Sequence, residues 1–161
     1  MKIIVILLFL LYSCTPPENN TLEVSFYVRD DKNNNIQLFF SNNFLENYSE
    51  ENSVKKKTII SEKFQKVNFQ LSTAKLPSRI RIDFGEDSIN KSLEIKNLQF
   101  SFKGGSKIVP IKKLDEFFLF NENIIYNSNS NVLELKSING KYDPYMVSKN
   151  LTFIYKQLKD E

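Results

Sequence analysis

Along most of this chain the apolar residues return at every second position, in short runs closed by Asn, Asp, Gly, Ser or Pro. A period of two belongs to a strand with one face buried, because successive side chains leave a pleated backbone on opposite sides. Leu22, Val24, Phe26 and Val28 alternate with Glu23, Ser25, Tyr27 and Arg29 up to the turn cluster Asp30-Asp31-Lys32-Asn33-Asn34-Asn35. Ile36, Leu38 and Phe40 follow, and the two runs read as a hairpin. Val67, Phe69 and Leu71 predict another strand, as do Ile80, Ile82 and Phe84 ahead of Gly85, and a further one is expected over 54–60. Leu93 and Ile95 are out of parity with Leu98, Phe100 and Phe102, as a β-bulge at Lys96-Asn97 would make them. Gly104-Gly105 predicts a two-residue hairpin loop leading back through Ile108 and Val109. Strands are also expected at 124–126, 132–138 and 151–155. Residues 41–53 read as loop or one helical turn, and Leu114, Phe117 and Phe118 fall at the spacing of a single helical turn.

About eight or nine short strands, with no helix beyond two turns, predict an all-β antiparallel sandwich, jelly-roll-like, over residues 21–161. A parallel α/β sheet would have no crossover helices to use. The length, 161 residues, is that of one domain, and 13% aromatics against 25% charged residues describe an ordered chain.

Composition removes whole classes of chemistry. Histidine is absent, which excludes a Ser/His/Asp or Cys/His nucleophile system, an HExxH zinc site and imidazole acid–base catalysis. A single cysteine excludes an intrachain disulfide and any multi-cysteine metal site. A net charge of +3, clustered only at Lys55-Lys56-Lys57, gives no footprint for a phosphate backbone, so nucleic acid is not an expected partner. The lysine run reads as a solvated loop or as a contact for anionic lipid heads. No enzyme activity, cofactor or metal is expected.

Met1-Lys2 precedes an apolar run from Ile3 to Leu11, far shorter than the roughly 20 residues of a membrane-spanning helix. It is followed by Leu11-Tyr12-Ser13-Cys14, which contains the chain's one cysteine and resembles the bacterial lipobox. That resemblance implies a signal peptide over 1–13, removed ahead of a lipidated Cys14. It implies a membrane partner through the lipid, and an outer-membrane location, because Thr15 stands where an aspartate retains such proteins at the inner membrane. The periplasmic face is expected. Pro16-Pro17 and Glu18-Asn19-Asn20 make 14–20 an extended tether.

The segment Leu76-Pro77-Ser78-Arg79-Ile80-Arg81-Ile82-Asp83-Phe84-Gly85, then Leu93-Glu94-Ile95-Lys96-Asn97-Leu98, is similar to the "LRIDPG" and "VEIKSIEL" strands of envelope β-sandwich modules. Those modules accompany bacterial glycosyltransferases. Asn139-Gly140-Lys141-Tyr142-Asp143-Pro144-Tyr145 resembles their "G-x-DP" element. The resemblance implies a jelly roll related to carbohydrate-binding modules and, as partner, a polysaccharide or envelope protein. Tyr142, Asp143 and Tyr145 are the candidate ligand-binding residues, since exposed tyrosines can stack on sugar rings while a carboxylate takes hydroxyls. A structured turn would use the same residues. Asp83, Glu86 and Asp87 could pair as glycosidase acid and nucleophile, gather around a calcium ion, or serve only as a solvated turn. Asp31, Asn33 and Asn35 match the start of a calcium loop that fails at Ile36 and Asn42. The expected function is a membrane-anchored, non-catalytic sandwich that binds glycan or another envelope component. The alternative is an accessory subunit of an envelope complex with no sugar binding.

Overall fold

A computed structural model describes residues 21–43, 47–72, 76–85 and 91–159. The signal peptide, Cys14 and the tether, like Glu86 and Asp87, lie outside the described residues. In chain order the strands are β1 (Thr21–Asp30), β2 (Asn34–Ser41), β3 (Ser53–Thr58), β4 (Gln65–Ser72), β5 (Arg79–Asp83), β6 (Lys91–Phe102), β7 (Gly105–Val109), β8 (Phe118–Phe120), β9 (Ile124–Asn127), β10 (Val132–Leu135) and β11 (Tyr145–Ser148). Two short helices, α1 (Leu114–Phe117) and α2 (Thr152–Lys159), complete the set. One sheet runs β4-β1-β6-β10-β9 with β7 also on β6, the other β3-β2-β5-β11-β8, and every ladder is antiparallel. The fold is an all-β sandwich whose chain repeatedly crosses between its sheets. Its core is the set of inward residues that the alternation marks, including Leu22, Val24, Phe26, Leu38, Phe69, Ile80, Ile82, Phe84, Leu93 and Phe100, all essentially inaccessible to solvent.

The period of two identifies which face of a strand is buried but not which strand lies beside it. That is why the expected β1–β2 hairpin is not found. β1 pairs with β4 and β6, while β2 lies in the opposite sheet between β3 and β5. The intervening cluster is a corner between sheets, with Asp30 and Asn34 turned inward. The bulge is present: Ser25 pairs with Gln99 and Tyr27 with Lys96, so β6 spends one extra residue there, and Asn97 takes a left-handed φ of 53°.

The β6–β7 hairpin is shifted by one residue from expectation. Phe102 pairs with Gly105, which leaves Lys103 (φ 50°) and Gly104 (φ 90°) as the loop, the pair of positive angles that a tight twisted hairpin uses. Gly105 itself lies in the strand, beneath α2. The segment expected as a strand over 151–155 is this helix, because Leu151, Ile154 and Leu158 bury at spacings of three and four while Phe153 is 56% exposed. Asn150 Oδ1 accepts from the Thr152 N–H at 2.8 Å at the start of the helix. The Tyr155 hydroxyl donates to the Pro77 carbonyl at 2.8 Å, tying the helix to the segment before β5. Sheet pairing also claims Tyr145, which reads from the sequence as part of a turn. The three lysines occupy β3, an edge strand, where charge discourages pairing with a further strand. Among the described residues no helix is long and apolar enough to cross a membrane.

A methyl group on Gly105 would lie 2.3 Å from the Leu158 carbonyl oxygen, a backbone atom that cannot swing aside. Gly105→Ala is therefore expected to push α2 off β7 and cost about 1–3 kcal/mol, read as a lower urea midpoint with an unchanged β-sheet circular dichroism signal.

Candidate functional site

β5 reads Arg79-Ile80-Arg81-Ile82-Asp83: the two isoleucines enter the core, and the strand geometry must therefore turn Arg81 and Asp83 to the opposite face. Cross-strand register decides what they meet. Asp83 lies between Gln37 of β2 and Tyr145 of β11, and Arg81 between Phe39 of β2 and Val147 of β11. Arg81 grips Asp83 with two hydrogen bonds, Nε to Oδ1 at 2.6 Å and Nη2 to Oδ2 at 2.7 Å. Nη2 also donates to Asp143 Oδ1 at 3.1 Å. The guanidinium carbon sits 3.8 Å from the Tyr145 ring centroid and 5.6 Å from that of Phe39, positions at which a cation is attracted to the ring face. Tyr48 packs beside Phe39, with 6.3 Å between ring centroids, and closes that flank.

The turn that delivers Asp143 is fixed by its backbone. The Phe84 N–H donates to the Pro144 carbonyl at 2.9 Å. Asn121 donates through Nδ2 to the Asp143 carbonyl and accepts at Oδ1 from the Tyr145 N–H at 3.1 Å. Buried Asn123 donates to the carbonyls of Lys136 and Lys141, at 2.9 and 3.0 Å. Beside this turn lies a pocket of about 50 Å³ lined by Asn35, Gln37, Lys55, Asp83, Tyr142 and Asp143. With liquid water taking about 30 Å³ per molecule, it admits one hydroxyl or hydroxymethyl group and not a whole ring.

Burial raises the Asp83 carboxyl pKa above the ordinary carboxylate value, and the hydrogen bonds and charge of Arg81 offset only part of the rise. Burial alone would lower the Arg81 pKa, but the contacts with Asp83 and Asp143 outweigh it and the guanidinium stays charged. Desolvation also raises the Tyr48 hydroxyl.

The structure thus brings Asp143 and Tyr145 together on one guanidinium, while Tyr142 is half-buried, packs against the core and lines the pocket. Asp83 joins them, while Glu86 and Asp87 lie outside the described residues. Arg81, Gln37 and Phe39 are additions that alternation could have placed on the outer face but could not have placed beside Asp143, more than sixty positions away from Arg81. The residues of the incomplete calcium loop have other uses: Asn33 Oδ1 accepts from the Ile60 N–H at 2.7 Å. Among the described residues no group of three or more acidic or cysteine side chains gathers around one point. No protein-family model matches this chain, and neither does any curated protein or solved structure.

Because Asp83 holds its proton more tightly folded than unfolded, its ionisation subtracts from stability as pH rises from the ordinary value of 3.8 through its raised folded value. Asp83→Asn is expected to remove that contribution. Urea midpoints measured from about pH 3 to about pH 7 should fall less steeply with rising pH in the variant than in the parent, and parallel curves would contradict the assignment.

Proposed function

We propose that this chain is a lipoprotein of the bacterial envelope, anchored through Cys14 at the periplasmic face of the outer membrane, whose sandwich binds a glycan without transforming it. The observation that carries this reading is the gathering of Asp83, Asp143, Arg81 and Tyr145 on one outer sheet face beside a hydroxyl-sized pocket. Sugar hydroxyls both donate and accept. The pocket offers acceptors in the Asp83 and Asp143 carboxylates and in Gln37 Oε1, whose Nε2 is already committed to Glu50 and Ser53, and a donor in Lys55. Arg81 over Tyr145 makes a composite platform of guanidinium and phenol against which a pyranose face can lie. The same guanidinium holds both carboxylates, which favours binding over catalysis, since neither is left as an unencumbered nucleophile or proton donor.

A second reading, an accessory subunit that docks another envelope protein, is favoured by the apolar margin of the same face. There Leu119, 54% exposed, pairs with Val147 directly beside Arg81.

Binding to arrayed envelope glycans is the decisive measurement. Asp143→Ala and Tyr145→Ala should each weaken a saturable interaction by about tenfold or more, near 1.4 kcal/mol. Both residues are at least partly exposed, so their loss should leave the fold intact. Retention of full affinity in both variants, or no glycan bound by the parent, would refute the site. For the anchor, cells fed labelled fatty acid should label the parent chain, and Cys14→Ser should lose both the label and membrane fractionation.

A further inference from the structure

Where β1 ends and β2 and β6 begin, the sandwich encloses three polar side chains among fully buried Val28, Ile36, Phe84 and Leu93. They are Asp30, Asn34 and Lys91, whose residues are 1%, 6% and 6% exposed. Lys91 Nζ stands 3.6 Å from Asp30 Oδ2, with the two side chains 1% and 0% exposed. Asn34 approaches the same place. A methyl group on Gly85 would lie 2.0 Å from Asn34 Oδ1, 3.1 Å from Asn34 Cγ and 3.4 Å from Lys91 Nζ. The amide carbon and the amine nitrogen therefore both lie within 3.4 Å of one point, which a side chain at position 85 would occupy.

The amide is also oriented. Its Oδ1 accepts from the Asn35 N–H at 2.9 Å, which would stabilise negative charge developing on that oxygen, and its Nδ2 donates to the Phe84 carbonyl at 3.2 Å. Asp30 accepts at Oδ1 from the Lys32 N–H at 3.2 Å, leaving Oδ2 directed to the lysine.

We propose that Lys91 and Asn34 become joined within the folded chain by an intramolecular amide bond, with Asp30 as the proton-transfer group. In this dry site Asp30 takes a proton from the Lys91 ammonium, which replaces two buried charges by a neutral acid and a nucleophilic amine. Burial, the largest influence on this carboxyl, raises its pKa and supports the transfer. The Lys91 nitrogen attacks Asn34 Cγ, and the charge formed on Oδ1 is met by the Asn35 N–H. Asp30 then returns a proton to the departing nitrogen. The Cγ–Nδ2 bond breaks, the Cγ–Nζ bond remains, and ammonia leaves, taking the second lysine proton as ammonium. No oxidant, metal or further reactant is consumed. The link would staple β2 of one sheet to β6 of the other, in a chain whose one cysteine cannot supply a disulfide. It does not depend on glycan binding.

The test is peptide mapping of the purified full chain after denaturation and tryptic digestion. Tandem mass spectrometry should find one branched species that joins the Asn34 and Lys91 peptides and is lighter than their sum by one ammonia, with no cleavage after Lys91. Lys91→Met, which keeps most of the side-chain volume, should yield only linear peptides and a lower unfolding temperature. The parent chain alone decides the outcome, so the test holds even if Asp30→Ala fails to fold. Unmodified linear Asn34 and Lys91 peptides from the folded parent would overturn the proposal. Ammonia loss confined to a linear Asn34 peptide would overturn it as well, and so would a branch through Asp30 formed with loss of water.

Discussion

The alternation in β5 is the constraint on which both core and site depend. Ile80 and Ile82 can reach the interior only if Arg81 and Asp83 point away from it, so the residues that hold the two sheets together also present the cluster on the outside. β5 lies at the centre of its sheet, with β2 on one side and β11 on the other. A register slip of one residue would drive a charged pair into the core, at a cost far above that of any surface contact, so the position of Arg81 relative to Tyr145 and Phe39 is set by burial of the opposite face. The site is precise because the core is.

The face built in this way has an economy of charge. Asp83 is largely desolvated and Asp143 largely exposed, and a single guanidinium satisfies both while lying on an aromatic ring. Arginine suits this arrangement because its planar fork can engage one carboxylate twice and still reach another, which a lysine ammonium could not reproduce. A cluster tied together in this way is already ordered, so the glycan binding proposed for it would cost little additional ordering.

Much of this fold is legible in the sequence, and the failures share one physical origin. Periodicity reports which side chains are buried, so the inward residues of β1, β2, β4, β5 and β6 and the bulge near Asn97 follow from it. Partner choice is a long-range matter, so β1–β2 reads as a hairpin where the structure has a corner, and Tyr145 reads as turn where pairing with Asp83 of β5 makes it strand. Leu151, Phe153 and Tyr155 look like alternation, yet the burial of Leu151, Ile154 and Leu158 against β7 makes a helix. Asp143 and Tyr145 are visible as candidates because they are neighbours in sequence. Arg81 is not, because its connection to them runs through the β5–β11 ladder, which joins segments some sixty positions apart.

The two ionic clusters of this sandwich differ in what burial demands of them. Around Arg81 water still reaches the partners, Asp143 most of all, and the charges can persist as charges. At Lys91 and Asp30 both side chains are sealed, and the attraction of a pair 3.6 Å apart must offset the desolvation of two ions with little help from solvent. An apolar pair at these positions would carry no such cost. Proton transfer within the pair removes the electrostatic penalty at once, and what remains is an amine held beside an oriented amide. The same seclusion that makes the pair costly as a salt bridge makes it competent as chemistry.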